Sequence, residues 1–114
     1  MRQVRLGSTG IEVPQNGFGA LPIQRVTKEE AVRLLHQAYE GGIVYFDTAR
    51  AYSDSEEKLG AAFHGMWDKV YLATKTHAKT PEEFWNHLET SLEKLQTDCI
   101  DVYQFHCVDQ CWKP

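Results

Sequence analysis

Apolar residues recur along this chain with two different spacings, and the alternation between them organises the sequence. Behind Thr27, the residues Ala31, Leu34, Leu35, Ala38 and Tyr39 follow at i, i+3, i+4, i+7 and i+8, the spacing of one face of an α-helix. Thr27-Lys28-Glu29-Glu30 frames its start as a capping box, and Gly41-Gly42 ends it. Leu59, Ala62, Phe63 and Met66 repeat the helical spacing behind a second box, Ser53-Asp54-Ser55-Glu56, despite Gly60 in the interior. A third stripe, Phe84, Leu88, Leu92 and Leu95, follows Thr80-Pro81-Glu82-Glu83, where proline takes the first helical position. Between these helices the helical spacing disappears. Residues 43–46, 70–74 and 100–105 are short runs rich in β-branched and aromatic side chains, which read as strands nearly apolar on both faces.

Strands alternating with helices that must each cover a sheet face predict right-handed βαβ crossovers and a parallel sheet. A weaker strand over residues 17–21 begins the series. Ahead of it, Val4-Arg5-Leu6 and Ile11-Glu12-Val13 flank Gly7-Ser8-Thr9-Gly10, the pattern of a small hairpin within residues 1–14. No Ser/Pro linker or low-complexity segment interrupts the pattern, and 114 residues with 42% hydrophobic side chains suit one domain with a packed core. The formal charge of -4 has the wrong sign for neutralising phosphates along DNA or RNA, so no nucleic-acid partner is expected. No apolar run exceeds the four residues of 43–46, and no hydrophobic segment follows Met1, so neither a membrane span nor a secretory leader is expected and the default location is cytoplasmic. Cys99, Cys107 and Cys111 are odd in number and crowd the last sixteen residues, unlike a disulfide framework. His106, Cys107 and Cys111 form a small cluster, but a lone C-x3-C lacks a second pair of ligands and no metal is expected.

In parallel α/β architectures ligands bind at the carboxyl ends of the strands, which directs attention to the first polar residue after each apolar run. Asp47, Lys75 and His106 occupy those positions, 28 and 31 residues apart, about one βα unit each. Tyr52 lies five residues past Asp47, on a loop that reaches the same rim. This set can make a general acid of a phenol. A free phenol, with a pKa near ~10, donates poorly to a carbonyl oxygen at neutral pH; a nearby ammonium favours phenolate, and a carboxylate paired to that ammonium holds it in place. A neutral imidazole on the next strand end would hydrogen-bond the substrate oxygen. Gly17-Phe18-Gly19-Ala20-Leu21-Pro22 fails as a dinucleotide fingerprint, because Pro22 replaces the third glycine and no helix opens there. His36, His64, His77 and His87 share no spacing and receive no role, with His36 and His87 read as surface or boundary positions on helices; Trp67, Trp85 and Trp112 read as packing residues.

Phe46-Asp47-Thr48-Ala49 with Tyr52, Ser55-Glu56-Glu57-Lys58-Leu59-Gly60, Leu72-Ala73-Thr74-Lys75, Ser91-Leu92-Glu93-Lys94-Leu95, Asp98-Cys99-Ile100-Asp101 and Tyr103-Gln104-Phe105-His106 together resemble the aldo/keto reductases. Leu6-Gly7-Ser8-Thr9-Gly10 and Gly17-Phe18-Gly19 resemble the opening of that family. The resemblance implies an α/β fold, the N-terminal part of a (β/α)8 TIM barrel preceded by a β-hairpin, with four strands and three helices present. It implies an NADP(H)-dependent oxidoreductase that reduces aldehydes or ketones to alcohols, with Tyr52 as acid, Lys75 and Asp47 as its tuners and His106 orienting the carbonyl. Cofactor contacts are expected at Asp47, Gly19, Ala20 and Leu21. A barrel of this type takes ~250 residues, so the chain reads as an N-terminal fragment, inactive alone, whose partners are a carbonyl substrate and either the missing half of the barrel or a second copy joined through exposed strand edges. The competing reading is a non-catalytic, cofactor-sensing accessory protein of the same fold.

Overall fold

The computed structural model describes residues 2–107. Two short strands, β1 (Gln3–Arg5) and β2 (Glu12–Pro14), pair antiparallel with Val4 opposite Val13. Gly7 and Gly10, both at positive φ, turn the chain between them. Four further strands, β3 (Phe18–Gly19), β4 (Tyr45–Asp47), β5 (Tyr71–Thr76) and β6 (Val102–Phe105), form one parallel sheet in sequential order. Helices α1 (Lys28–Glu40), α2 (Ser55–Phe63) and α3 (Pro81–Leu95) connect them.

All three helices cover the same face of the sheet. Register places Phe18 beside Phe46 and Phe46 beside Leu72. These residues pack with Leu35 of α1, Leu59 and Phe63 of α2 and Leu95 of α3 in a single cluster. Sequential strand order with every helix on one side is the winding of a barrel segment, whereas a doubly wound sheet would place helices on both faces. The opposite face carries Gly19, Asp47, Ala73, Lys75, Val102 and Gln104, by the same register. The expectation of strands apolar on both faces therefore holds only for the helix-covered side. The other side carries polar groups because it faces the barrel axis at the strands' carboxyl ends.

Helix boundaries follow local chemistry. Thr27 accepts the backbone N–H of Glu30 at 3.2 Å, and Thr80 accepts that of Glu83 at 3.1 Å, so both are working N-caps. The second capping box does not form. Ser53 sits at a φ of 38° and donates to Gln24 at 2.7 Å, while Asp54 at the cap position turns its carboxylate to Lys58, 3.0 Å away. Gly60 has a packing reason: a Cβ there would lie 2.3 Å from the Lys94 carbonyl oxygen, so α2 and α3 touch backbone to backbone at this point. Leu34, expected on the buried face of α1, lies at its edge and is 37% exposed.

The strands also differ from their expected spans. Strand β3 is confined to two residues because the chain turns at Leu21 into a 3-10 turn over Pro22–Arg25, and Ile43 and Val44 precede β4. The fifth runs two residues beyond Thr74, which puts Lys75 inside a strand. Among the described residues no helix is long and apolar enough to cross a membrane. Cys99 and Cys107 are free thiols; Cys111 and Trp112 lie outside the described residues.

Candidate active site

The carboxyl ends of β4, β5 and β6 deliver three side chains to one rim, and the β4–α2 loop delivers a fourth. Backbone bonds extend the parallel ladder past the strand ends and set these loops. Ala20 N–H donates to Asp47 O at 2.8 Å, Thr48 N–H to Ala73 O at 2.8 Å, Arg50 N–H to Lys75 O at 3.0 Å and His106 N–H to Thr76 O at 2.9 Å.

The Lys75 ammonium stands at the centre. Nζ donates to Asp47 Oδ2 at 2.8 Å and to the Thr48 carbonyl at 2.8 Å, and lies 3.5 Å from the Tyr52 hydroxyl. It also sits 4.9 Å from the centre of the Tyr52 ring. The ring of His106 meets that of Tyr52 edge to face, with centroids 5.5 Å apart. Burial, then the charges of Lys75 and His77, hold the His106 imidazole below its ordinary pKa, against a smaller opposing pull from Asp47. Lowered from 6.5, the imidazole favours its neutral form at pH 7, in which one ring nitrogen is a donor and the other an acceptor. All four residues expected to carry the chemistry are brought together.

Beneath the rim lies a buried polar layer that periodicity did not anticipate. Glu56, only 1% exposed, accepts from Arg50 at 2.5 Å and from Thr74 Oγ1 at 2.8 Å. Lys58, 4% exposed, donates to the carbonyls of Ile23 at 2.9 Å and Val26 at 2.7 Å. Ser55 donates to the Ala20 carbonyl at 3.0 Å and shares a 2.7 Å hydrogen bond with Thr48. Through these contacts the first turn of α2 ties down the loops that carry Ala20 and Thr48, hence the acceptor of the Lys75 ammonium. Charged residues at a helix start normally signal a solvated turn, so only the Ser-Glu-Glu-Lys run hinted at this layer.

The residues expected to meet a cofactor have mixed surroundings. Apart from Gly19 and its two chain neighbours, no atom of the described residues lies within 4 Å of where a side chain at Gly19 would begin, which leaves that part of the rim open among the described residues. Leu21 is exposed, and Ala20 is buried with its N–H and C=O both engaged inside the protein. Asp47, with 32% of its side chain exposed, keeps acceptor capacity toward the rim. Two histidines given no role are in contact: the rings of His77 and His87 lie with centroids 4.5 Å apart and planes tilted by 48°, and His87 Nδ1 bonds Thr76 Oγ1 at 2.8 Å. Among the described residues no group of three or more His, Cys, Asp or Glu is placed to hold a metal ion.

Residues 15–113 match the model of the aldo/keto reductase family. The aldo-keto reductase YhdN of Bacillus subtilis is 34% identical over an alignment that spans 96% of this chain and 39% of the relative. The oxidoreductase YrpG of the same bacterium is 31% identical, over 96% of this chain and 41% of the relative. Among solved structures, the holo form of an aldo-keto reductase from Bacillus halodurans superposes with a TM-score of 0.83 at 29% identity, covering 92% of this chain and 40% of that one. An aldo/keto reductase from Klebsiella pneumoniae in complex with NADP and acetate superposes with a TM-score of 0.80 at 32% identity, covering 90% and 38%. The chain thus spans about two fifths of the length of the relatives it matches. With a family match that covers every described residue from 15 onward, and a one-sided parallel sheet that superposes on part of its barrels, this chain belongs to the aldo/keto reductase family.

Proposed function

We propose that this chain supplies the acid side of an NADP(H)-dependent carbonyl reductase that converts aldehydes or ketones to alcohols, with Tyr52 as proton donor. The observation that carries the reading is the Lys75 ammonium, held by Asp47 at 2.8 Å and facing the Tyr52 hydroxyl at 3.5 Å. As the phenol gives up its proton, the adjacent positive charge stabilises the phenolate left behind. Asp47 keeps the ammonium in place and offsets the cost of a charge whose side chain is only 14% exposed. His106, neutral and at right angles to Tyr52, donates to the carbonyl oxygen and orients it toward the phenol.

The open rim at Gly19 and the partly exposed Asp47 carboxylate fit the amide and hydroxyl donors of a nicotinamide nucleoside, which supplies a hydride when bound. Leu21 adds an exposed apolar surface beside it. The relatives extend well beyond the span of this chain, so turnover is expected from the assembled barrel and not from these 114 residues alone.

Tyr52→Phe in the assembled reductase tests the assignment. NADPH binding should persist while kcat falls at least ~10²-fold, the lower end of what general acid catalysis contributes. Carbonyl reduction at the unsubstituted rate would remove Tyr52 from the mechanism. NADPH binding with no turnover in the unsubstituted protein would favour the accessory reading.

A further inference from the structure

Asp47 has a second partner that the four-residue site does not include. Gln104 Nε2 donates to Asp47 Oδ1 at 3.1 Å, while Lys75 holds Oδ2 at 2.8 Å. A carboxylate only accepts, so the glutamine must present its NH2 and not its carbonyl. The contact spans two strand spacings. Asp47 on β4 is in register with Ala73 on β5, Lys75 on β5 is in register with Gln104 on β6, and all four share the face opposite the helices. Ala73, the β5 residue in register with Asp47, is small, so no long side chain stands beside Asp47 at that register position. We propose that Gln104 is a positioning residue, which fixes the Asp47 carboxylate and through it the place of the Lys75 ammonium beside Tyr52. Its catalytic consequence rests on the functional reading above.

The residue type fits this role. With one donor on each oxygen the carboxylate cannot rotate about its Cβ–Cγ bond without losing both hydrogen bonds. An amide supplies the second donor without charge. A lysine or arginine at this position would compete with Lys75 for Asp47 and add a second positive charge beside His106; a glutamate would repel Asp47. Leucine would keep the bulk and lose the donor.

The test begins with the 114-residue chain and needs no turnover. In spectra of the chain with 13C-labelled tyrosine rings, the Tyr52 signals are assigned by their loss in Tyr52→Phe. Gln104→Leu should displace the Tyr52 signals and leave those of Tyr39 on α1 unmoved, which also reports that the fold is intact. Asp47→Asn should displace them as well, and the double variant should add little to either single change, as expected of residues acting through one contact. Unmoved Tyr52 signals in Gln104→Leu, or displacements that simply add, would overturn the proposal. Should Gln104→Leu unfold the chain, Gln104→Met is the second variant, judged by the same signals.

In the assembled reductase, Gln104→Leu should lower kcat about tenfold with little change in KM, the size expected for one lost hydrogen bond to a charged group. An unchanged kcat, with or without a rise in KM, would overturn the catalytic consequence. Coupled displacements without any reductase activity would instead overturn the functional reading and leave the positioning role standing.

Discussion

Glu56 is a charged residue placed almost out of reach of water, so its contribution depends on the partners it finds there. Arg50 and Thr74 satisfy both carboxylate oxygens, and the Arg50 side chain is itself only 14% exposed. Glu56→Ala would strand that guanidinium and should cost about 3 kcal/mol, measurable as a lower urea midpoint. An unchanged midpoint would mean that water reaches Arg50. Gly60 offers the opposite test, since alanine is the better helix former by about 1 kcal/mol. Here the added Cβ would meet the backbone of Lys94 at 2.3 Å, so Gly60→Ala should destabilise by about 2 kcal/mol. His87 sets a pH dependence. Burial, then the charge of His77, lower its pKa below 6.5; Glu83 pulls the other way, and the weaker influences of Arg50 and Glu56 lower and raise it respectively. The unfolded chain therefore takes up a proton that the folded chain resists, and stability present above pH ~6.5 is lost as the pH falls. His87→Gln should lose less stability than the unsubstituted chain between pH 7 and pH 5; equal losses would remove His87 as a contributor.

At the scale of the element, the three helix starts have similar sequence signatures and different structures. Thr27 and Thr80 cap their helices, so Thr27→Ala and Thr80→Ala should each cost about 1 kcal/mol. Ser53, which heads an equally good box, points to Gln24 and caps nothing. Ser53→Ala should cost less than about 0.5 kcal/mol in the same unfolding measurement, as for an ordinary surface position. A loss equal to that of Thr80→Ala would mean that the cap forms in solution. The difference arises because Lys58 is drawn inward to the carbonyls of Ile23 and Val26, and Asp54 follows it. Long-range contacts override a local preference worth only about 1 kcal/mol.

For the molecule as a whole, the decisive feature is the open sheet. Among the described residues β3 and β6 each have one neighbouring strand, and Phe105 and Trp85 at the β6 side are 49% and 60% exposed. Open edges present backbone donors and acceptors that favour pairing with another strand. The isolated chain is therefore expected to associate, through a second copy or with the remainder of the barrel supplied in trans. Light scattering after size-exclusion chromatography measures this, and a dilute monomer with cooperative unfolding would contradict it.

How much of this was legible in the sequence follows from the range of the forces involved. Helix periodicity, the Thr27 and Thr80 caps and the βα alternation are fixed by contacts within a few residues, so Leu35, Leu59 and Leu95 announce their buried faces directly. Strand-end position likewise singled out Asp47, Lys75 and His106, because parallel winding brings every carboxyl end to one rim. Gln104 was hidden. Its neighbours in sequence, Tyr103 and Phe105, are strand residues of the opposite face, and only the register of β4, β5 and β6 carries its amide across β5 to a carboxylate 57 positions away. The same holds for Glu56 and Lys58, whose charges read as solvated until α2 packs against β5 and the loops beside it. A sequence states which groups can donate, accept or exclude water; which of them meet is decided when strands distant along the chain come to lie about 5 Å apart.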